Sequence, residues 1–213
     1  MYQPAHYVQA DRAVIDQLIA RHPFATLIAH ASSTIEVNHL PLLQVAAQDE
    51  AGGATVLQGH VARANGVWKL LEQGLPVLAI FQGEQQYISP SWYAGKAEHG
   101  KVVPTWNYVA VHAYGTPEIV DDAGSAYGDQ QRLVDEFESG FANPWALQDR
   151  DRGYIDGMIR AIVNFRIPIA RIEGKFKLSQ NRDAADRARV IDALATADDP
   201  AARDTAALMR SRE

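Results

Sequence analysis

Apolar positions recur along this chain at two periods, and the change of period divides it. Val14, Ile15, Leu18 and Ile19 share one face at helical spacing between Asp11, a predicted N-cap, and Pro23, so the pattern predicts a helix over 12–21. Short runs with strand character then take over at 24–30, 34–43 and 55–62, parted by Ala31-Ser32-Ser33 and by the turn-forming segment 50–54. Asn65 is placed to cap a short helix over 67–73, which Gly74 and Pro76 end. Residues 76–82 (PVLAIFQ) and 108–115 (YVAVHAYG) read as strands, with 117–120 extending the second beyond a bend. Helical period returns over 128–139 and 151–164. Leu133, Val134 and Phe137 share a face of the first helix, and Ile155, Met158, Ile159 and Ile162 a face of the second. A last strand is predicted over 166–173, and an Ala- and Arg-rich helical tail over 182–194 and 200–209, broken at Asp198-Asp199-Pro200.

Six or seven short strands with helices gathered late predict a mainly β, α+β fold: a β-barrel carrying peripheral helices. Strands and helices do not alternate regularly, which argues against a Rossmann-type sheet. The predicted organisation is one ligand-binding domain over 1–181 with inserted helices, and a tail over 182–213 packed on it.

The stretch 87–108 (YISPSWYAGKAEHGKVVPTWNY) stands apart. Loops of this length are usually rich in Gly, Asn, Asp and Ser. This one instead sets Trp92, Trp106 and three tyrosines beside the donors Ser89, Ser91, Lys96, Lys101, Thr105 and Asn107. Pro90 and Pro104 fix extended backbone around them, which lowers the entropy cost of presenting those groups. The mixture suits a ligand with a flat ring at one end and an anion at the other. The competing reading is a loop pinned to the core by its aromatics.

Two further constellations flank it. His60-Val61-Ala62-Arg63-Ala64-Asn65 lies at a strand end opening into a helix, where an arginine near free N–H groups can hold a phosphate. A surface salt bridge for Arg63 and a strand-end role for His60 compete with that reading. Gly174–Asn181 (GKFKLSQN) puts Lys175 and Lys177 on alternate positions, so both point the same way if the strand continues. Its Ser179, Gln180 and Asn181 add donors, or alternatively cap the tail helix.

Composition narrows the choice. At 213 residues, 47% hydrophobic and 22% charged, the chain has ordinary globular usage, and its formal charge of −6 repels nucleic acid. From 175 to 213 there are eight Lys/Arg against seven Asp/Glu, so the tail is near neutral and direct nucleic-acid binding is not expected. The absence of cysteine excludes disulfides, thiolate nucleophiles and cysteine zinc sites, and fits a reducing cytoplasm. The N-terminus lacks signal-peptide character and no apolar run approaches the ~20 residues of a membrane span, so a cytoplasmic protein is expected. No GxGxxG, GxxxxGK[ST], HExxH or GxSxG occurs, which sets aside the usual dinucleotide, P-loop, zincin and hydrolase chemistries. Histidines 6, 22, 30, 39, 60, 99 and 112 form no closely spaced pair, so no metal site is expected, and His39 and His112 read as strand histidines.

Six motifs taken in order carry a resemblance: the MY-x-P-x-H start, NHLP (38–41), GHVARAN (59–65), YISPSWY (87–93), VPTWNYVAVHAYG (103–115) and EGK-x-KLSQN (173–181). Together they resemble the PaiB family, FMN-binding proteins described as negative transcriptional regulators. The resemblance implies an FMN-binding split β-barrel related to pyridoxamine-phosphate oxidase, homodimeric, with FMN in a cleft between subunits. It implies Arg63 and Lys96 at the phosphate, with Ser89, Ser91 and Thr105 as hydroxyl donors. Trp92, Tyr93, Trp106 and Asn107 would lie along the ring or ribityl chain, with Lys175, Lys177 and Gln180 of the partner subunit reaching in. His60 and Asn65 complete the candidate cofactor-binding set, and no catalytic side chain is singled out. Family members carry proline where this chain has Gly66. The implied function is an FMN-binding regulator acting through ligand binding or indirectly. The alternatives are a flavin-dependent oxidoreductase on a small molecule, or a haem- or pyridoxal-phosphate-binding protein.

Overall fold

The computed structural model describes residues 1–46, 55–98 and 100–212, so the predicted turn at 50–54 and His99 lie outside the described residues. Among the described residues nine strands enter one sheet in the order β3-β2-β6-β7-β9-β5-β4, with β1 and β8 each pairing with β9. They are β1 (Val8–Gln9), β2 (Phe24–Ala31), β3 (Thr34–Pro41), β4 (Leu43–Ala46), β5 (Thr55–Ala62), β6 (Val77–Ile88), β7 (Thr105–Gly115), β8 (Glu118–Val120) and β9 (Ile162–Lys177). The helices are α1 (Arg12–Arg21), α2 (Trp68–Leu71), α3 (Gly95–Glu98), α4 (Ala123–Glu138), α5 (Arg152–Arg160), α6 (Ala184–Ala195) and α7 (Pro200–Arg210).

Two compact units divide these elements. The first comprises Met1–His22, Phe81–His112 and Glu173–Glu213; the second comprises Pro23–Ile80 and Ala113–Ile172. The chain passes from one to the other within β6, β7 and β9.

In the first unit α1 keeps its predicted limits because both ends are specified locally. Asp11 accepts the Ala13 N–H at 2.9 Å, and the His22 N–H closes on Leu18 O at 3.0 Å. Its apolar stripe buries Ile15, Leu18 and Ile19. Phe81, Ile88, Val109, Phe176 and Leu178 join this core, as do Val190, Leu194, Ala206 and Met209 from the tail helices. The tail helices are capped by Asp183, which accepts the Asp186 N–H, and by Asp199, with Pro200 as first helical residue. The residues 179–181, a candidate cap in the sequence, therefore do not serve as one.

In the second unit the apolar run 34–43 is two strands. Leu42 leaves the ladder: it is fully buried and its N–H goes to Pro23 O at 2.9 Å. The run thereby pairs with β2 on one side of Leu42 and with β5 on the other. Gly59 on β5 lets this corner close, because a Cβ there would meet Leu42 Cδ2 at 2.6 Å and Phe165 Cζ at 3.2 Å. Helix α5 stops short of its predicted end. Ile162, placed on that helix by its spacing, is the first residue of β9 and pairs with Ala62. Cross-strand pairing with β5 overrides the helical period there. Helix α4 begins five positions before its periodic segment because Asp122 caps it, accepting the Ser125 N–H at 2.6 Å.

Candidate functional site

The stretch 87–108 is less a loop than a short passage between strands. β6 runs to Ile88, β7 begins at Thr105, and between them lie a 3₁₀ turn (Pro90–Trp92) and α3. Ser89 caps the turn, accepting the Ser91 N–H at 3.2 Å, while Lys96 Nζ donates to Ser91 Oγ at 2.8 Å. Three of the candidate donors are thus engaged with one another. The aromatics divide as well. Trp106 is 53% exposed and meets Tyr87 edge-to-face at 6.1 Å, whereas Tyr93 is buried. Of the two readings of this stretch, pinning to the core describes Tyr93 and not Trp106.

Tyr93 lines a cleft of about 190 Å³ within the first unit. Thr105, Asn107 and Lys177 from the candidate set line it too, joined by Tyr7, Ser179, Asn181 and Arg182, with Val103 and Pro104 supplying apolar surface. Lys177 Nζ donates to Thr105 Oγ1 and to Trp106 O. Burial holds the Lys177 ammonium below the usual lysine range, and the charges of Lys175 and Arg182 add to the effect. Lys175 is 7% exposed; its Nζ donates to Tyr2 O at 2.9 Å and lies over the Tyr2 and Tyr108 rings. Asn107 Nδ2 donates to Ser179 Oγ at 3.0 Å, and Ser179 sits at φ 63°, a left-handed conformation unusual outside glycine. Gln180 closes its own turn instead, accepting from Leu178 N and donating to Phe176 O. Burial pushes the Tyr7 hydroxyl up, so it remains a protonated phenol.

His60 and Asn65 belong to the second unit, where a groove of about 240 Å³ gathers them with Asn38, His39, Leu40, Pro41, Val61 and Ala62. Asn65 Nδ2 donates to Asn38 Oδ1 at 2.6 Å, and Asn65 Oδ1 accepts the Val67 N–H at 3.1 Å. Gln130 Nε2 contacts His60 Nδ1 at 3.1 Å and donates to Asn164 Oδ1 at 2.6 Å. An amide NH₂ can only donate, so His60 Nδ1 accepts and the ring proton sits on Nε2. Burial lowers the His60 pKa from its ordinary value, which keeps that imidazole neutral. Arg63 is turned to structure: Nε donates to Arg160 O at 2.9 Å and Nη2 to Ile162 O at 3.0 Å.

Six of the fourteen candidates thus come together in two gatherings, each within one unit: Tyr93, Thr105, Asn107 and Lys177 at the cleft, and His60 and Asn65 at the groove. Tyr7, Arg182, Asn38 and His39 were not among the expected ligand groups. Asn38 and His39 sat inside the NHLP motif, whereas nothing local to Tyr7 or Arg182 marks them. Among the described residues no group of three or more His, Asp or Glu could hold a metal ion, and no helix is long and apolar enough to cross a membrane.

Residues 1–171 match the family model described as "Putative FMN-binding domain". The Protease synthase and sporulation protein PAI 2 of Bacillus subtilis (strain 168) is 30% identical over 212 residues, covering 100% of this chain and 98% of the relative. Uncharacterized protein AN0679 of Emericella nidulans is 30% identical over 244 residues, covering 100% and 97%. Among solved structures, the FAD and Heme binding protein from Mycobacterium smegmatis gives a TM-score of 0.62 at 16% identity, covering 85% of this chain and 78% of that one. The Flavocytochrome Anf3 from Azotobacter vinelandii gives 0.57 at 16%, covering 85% and 75%. At such identities the likeness establishes the fold alone, a split barrel built on an antiparallel sheet with helices. With the family model matched over residues 1–171 and a relative aligned along its full length at 30% identity, the chain belongs to the FMN-binding-domain family that includes PAI 2.

Proposed function

We propose that this chain is an FMN-binding flavoprotein that works as a homodimer and influences transcription indirectly, through its ligand. The observation that carries the proposal is the groove of the second unit, which lies inside the family-matched segment. Its walls are apolar (Leu40, Pro41, Val61) and its polar groups are the amides of Asn38 and Asn65 and the imidazoles of His39 and His60, with no carboxylate, lysine or arginine among them. That donor set fits the pyrimidine edge of an isoalloxazine, which offers an N–H and carbonyl oxygens for pairing. Asn38, Asn65 and His60 would hold that edge. Bound FMN supplies one- and two-electron chemistry, while the chain supplies orientation and hydrogen bonding.

The dimer reading is supported by the β2–β3 hairpin. The cross-strand pairs Phe24↔Pro41, Thr26↔His39, Ile28↔Val37 and His30↔Ile35 put these eight side chains on one face. On that face Phe24 is 68% exposed, Ile35 71% and Val37 52%, an apolar surface of the kind that marks an interface. His39 and Pro41 continue the same face into the groove. A partner copy covering the hairpin would border the ligand. Indirect regulation is supported by the charge of −6, since such a surface gains little from phosphate neutralisation.

FMN titration of the purified chain, read by quenching of flavin fluorescence and by native mass, tests this. Two FMN per dimer, with affinity lost in Asn65→Ala, is the expected result. A folded chain that binds no FMN would sink the flavoprotein reading, and retarded promoter DNA at physiological salt would sink the indirect one.

A further inference from the structure

The cleft of the first unit concentrates positive charge, and no acidic residue lines it. Lys177 and Arg182 line it, Lys175 lies close enough to disturb Lys177, and among the described residues none of the three takes part in an ion pair. The carboxylates that follow Arg182 in the chain bond backbone N–H groups: Asp186 accepts the Ala94 N–H at 2.8 Å, and Asp183 caps α6. Crowded like charges raise the energy of the cleft until a counter-ion enters it. The Arg182 guanidinium lies 4.6 Å from the Tyr93 ring centroid, and no hydrogen bond among the described residues engages it.

A second observation points the same way. Tyr93 is 3% exposed and lines the cleft, yet its hydroxyl has no hydrogen-bond partner among the described residues. A buried donor of that kind carries the full cost of its desolvation unless a ligand accepts from it. Ser179, held in its left-handed conformation by Asn107, sets the chain turn between Lys177 and Arg182.

We propose that this cleft binds a small molecule other than the flavin, with a carboxylate or phosphate-monoester end held by Lys177, Arg182 and the Tyr93 hydroxyl. The apolar body of that molecule lies against Val103, Pro104 and the Tyr7 ring. At about 190 Å³ the cleft is below the roughly 300 Å³ at which pockets for drug-sized ligands begin, so one ring with one acid group fits it. The cleft shares no lining residue with the groove assigned to FMN, and Lys177 and Arg182 fall outside the family-matched segment 1–171.

The test is calorimetric titration of phenyl phosphate and of benzoate into the full chain, with and without saturating FMN, and of FMN and riboflavin into each variant. At least one of the two acids should saturate at one site per chain. Affinity should fall at least tenfold in Arg182→Gln and several-fold in Tyr93→Phe, which keeps the packing ring, while FMN affinity stays unchanged in both. No saturable binding of either acid to the folded wild-type chain overturns the proposal, as does equal affinity in Arg182→Gln. Loss of FMN but not riboflavin affinity in Arg182→Gln also overturns it, because the anion would then be the flavin's own phosphate. Should the acids titrate while FMN does not bind, the flavoprotein reading falls and this site stands.

Discussion

Arg166 on β9 grips the carboxylate of Asp129 on α4 with two hydrogen bonds, Nη2 to Oδ1 at 2.6 Å and Nε to Oδ2 at 3.1 Å. Asp129 is fully buried; Arg132 also reaches its Oδ1, and Gln58 on β5 donates to its backbone oxygen at 2.6 Å. Asp129 thus fastens α4 to two strands of the second unit, to β9 through its carboxylate and to β5 through its backbone oxygen. Removing it takes from Arg132 and Arg166 the buried carboxylate they share. Asp129→Ala should therefore cost about 3–5 kcal/mol of unfolding free energy, the scale for breaking one side of a buried ion pair. Urea denaturation measures it, and a loss below about 1 kcal/mol would show the network to be dispensable.

Two glycines should respond oppositely to alanine. A Cβ on Gly115 would lie 2.1 Å from Pro168 O and 2.6 Å from Ile167 Cγ2, contacts that only a backbone shift between β7 and β9 relieves. A Cβ on Gly66 meets nothing within 4 Å. Gly115→Ala is expected to destabilise by at least about 1–3 kcal/mol through overpacking. Gly66→Ala is expected to stabilise by about 0.4–1 kcal/mol by restricting the unfolded chain. Urea midpoints of the two variants should therefore fall on opposite sides of wild type.

Much of this fold is legible wherever a local signal and the tertiary demand agree. Asp11 and Pro23 bracket α1, and β5 keeps its predicted limits because its apolar run pairs along its length with β9. Legibility fails where pairing overrules periodicity, as at Ile162, or where one buried residue splits a run, as at Leu42. The sites are harder to read. Thr105, Asn107 and Lys177 are flagged by residue type, but Tyr7 and Arg182 reach the same cleft from opposite ends of the chain. Arg63 illustrates the limit from the other side. Its guanidinium suits a phosphate on paper, and in the fold it donates to Arg160 O and Ile162 O.

His60 should make the second unit sensitive to acid. Its folded pKa lies below the ordinary value near 6.5, because burial disfavours the imidazolium. Below that value the unfolded chain binds a proton that the folded chain refuses, so stability falls as pH drops from about 6.5 toward the folded pKa. The slope from this one group is at most about 1.4 kcal/mol per pH unit. His60→Asn should flatten that part of the curve. Urea midpoints at pH 7.5 and 5.5 decide it: an equal drop in wild type and variant would remove His60 as the cause.

The apolar face of the β2–β3 hairpin makes the homodimer testable by a single charge. Val37 sits opposite Ile28 in the middle of that face and is 52% exposed, so an acidic side chain there reaches water in the free chain and costs the fold little. In a dimer with twofold symmetry the same change is made on both copies, and two carboxylates then have to be desolvated against an apolar surface. Val37→Asp is thus expected to yield a folded monomer, with the thermal transition retained and the mass halved by light scattering. Because His39 and Pro41 carry the same face into the groove, FMN affinity should fall with the dimer, by tenfold or more if the partner closes over the ligand. A monomeric variant that keeps full FMN affinity would place the flavin within one chain, and an undisturbed dimer would move the interface off this hairpin.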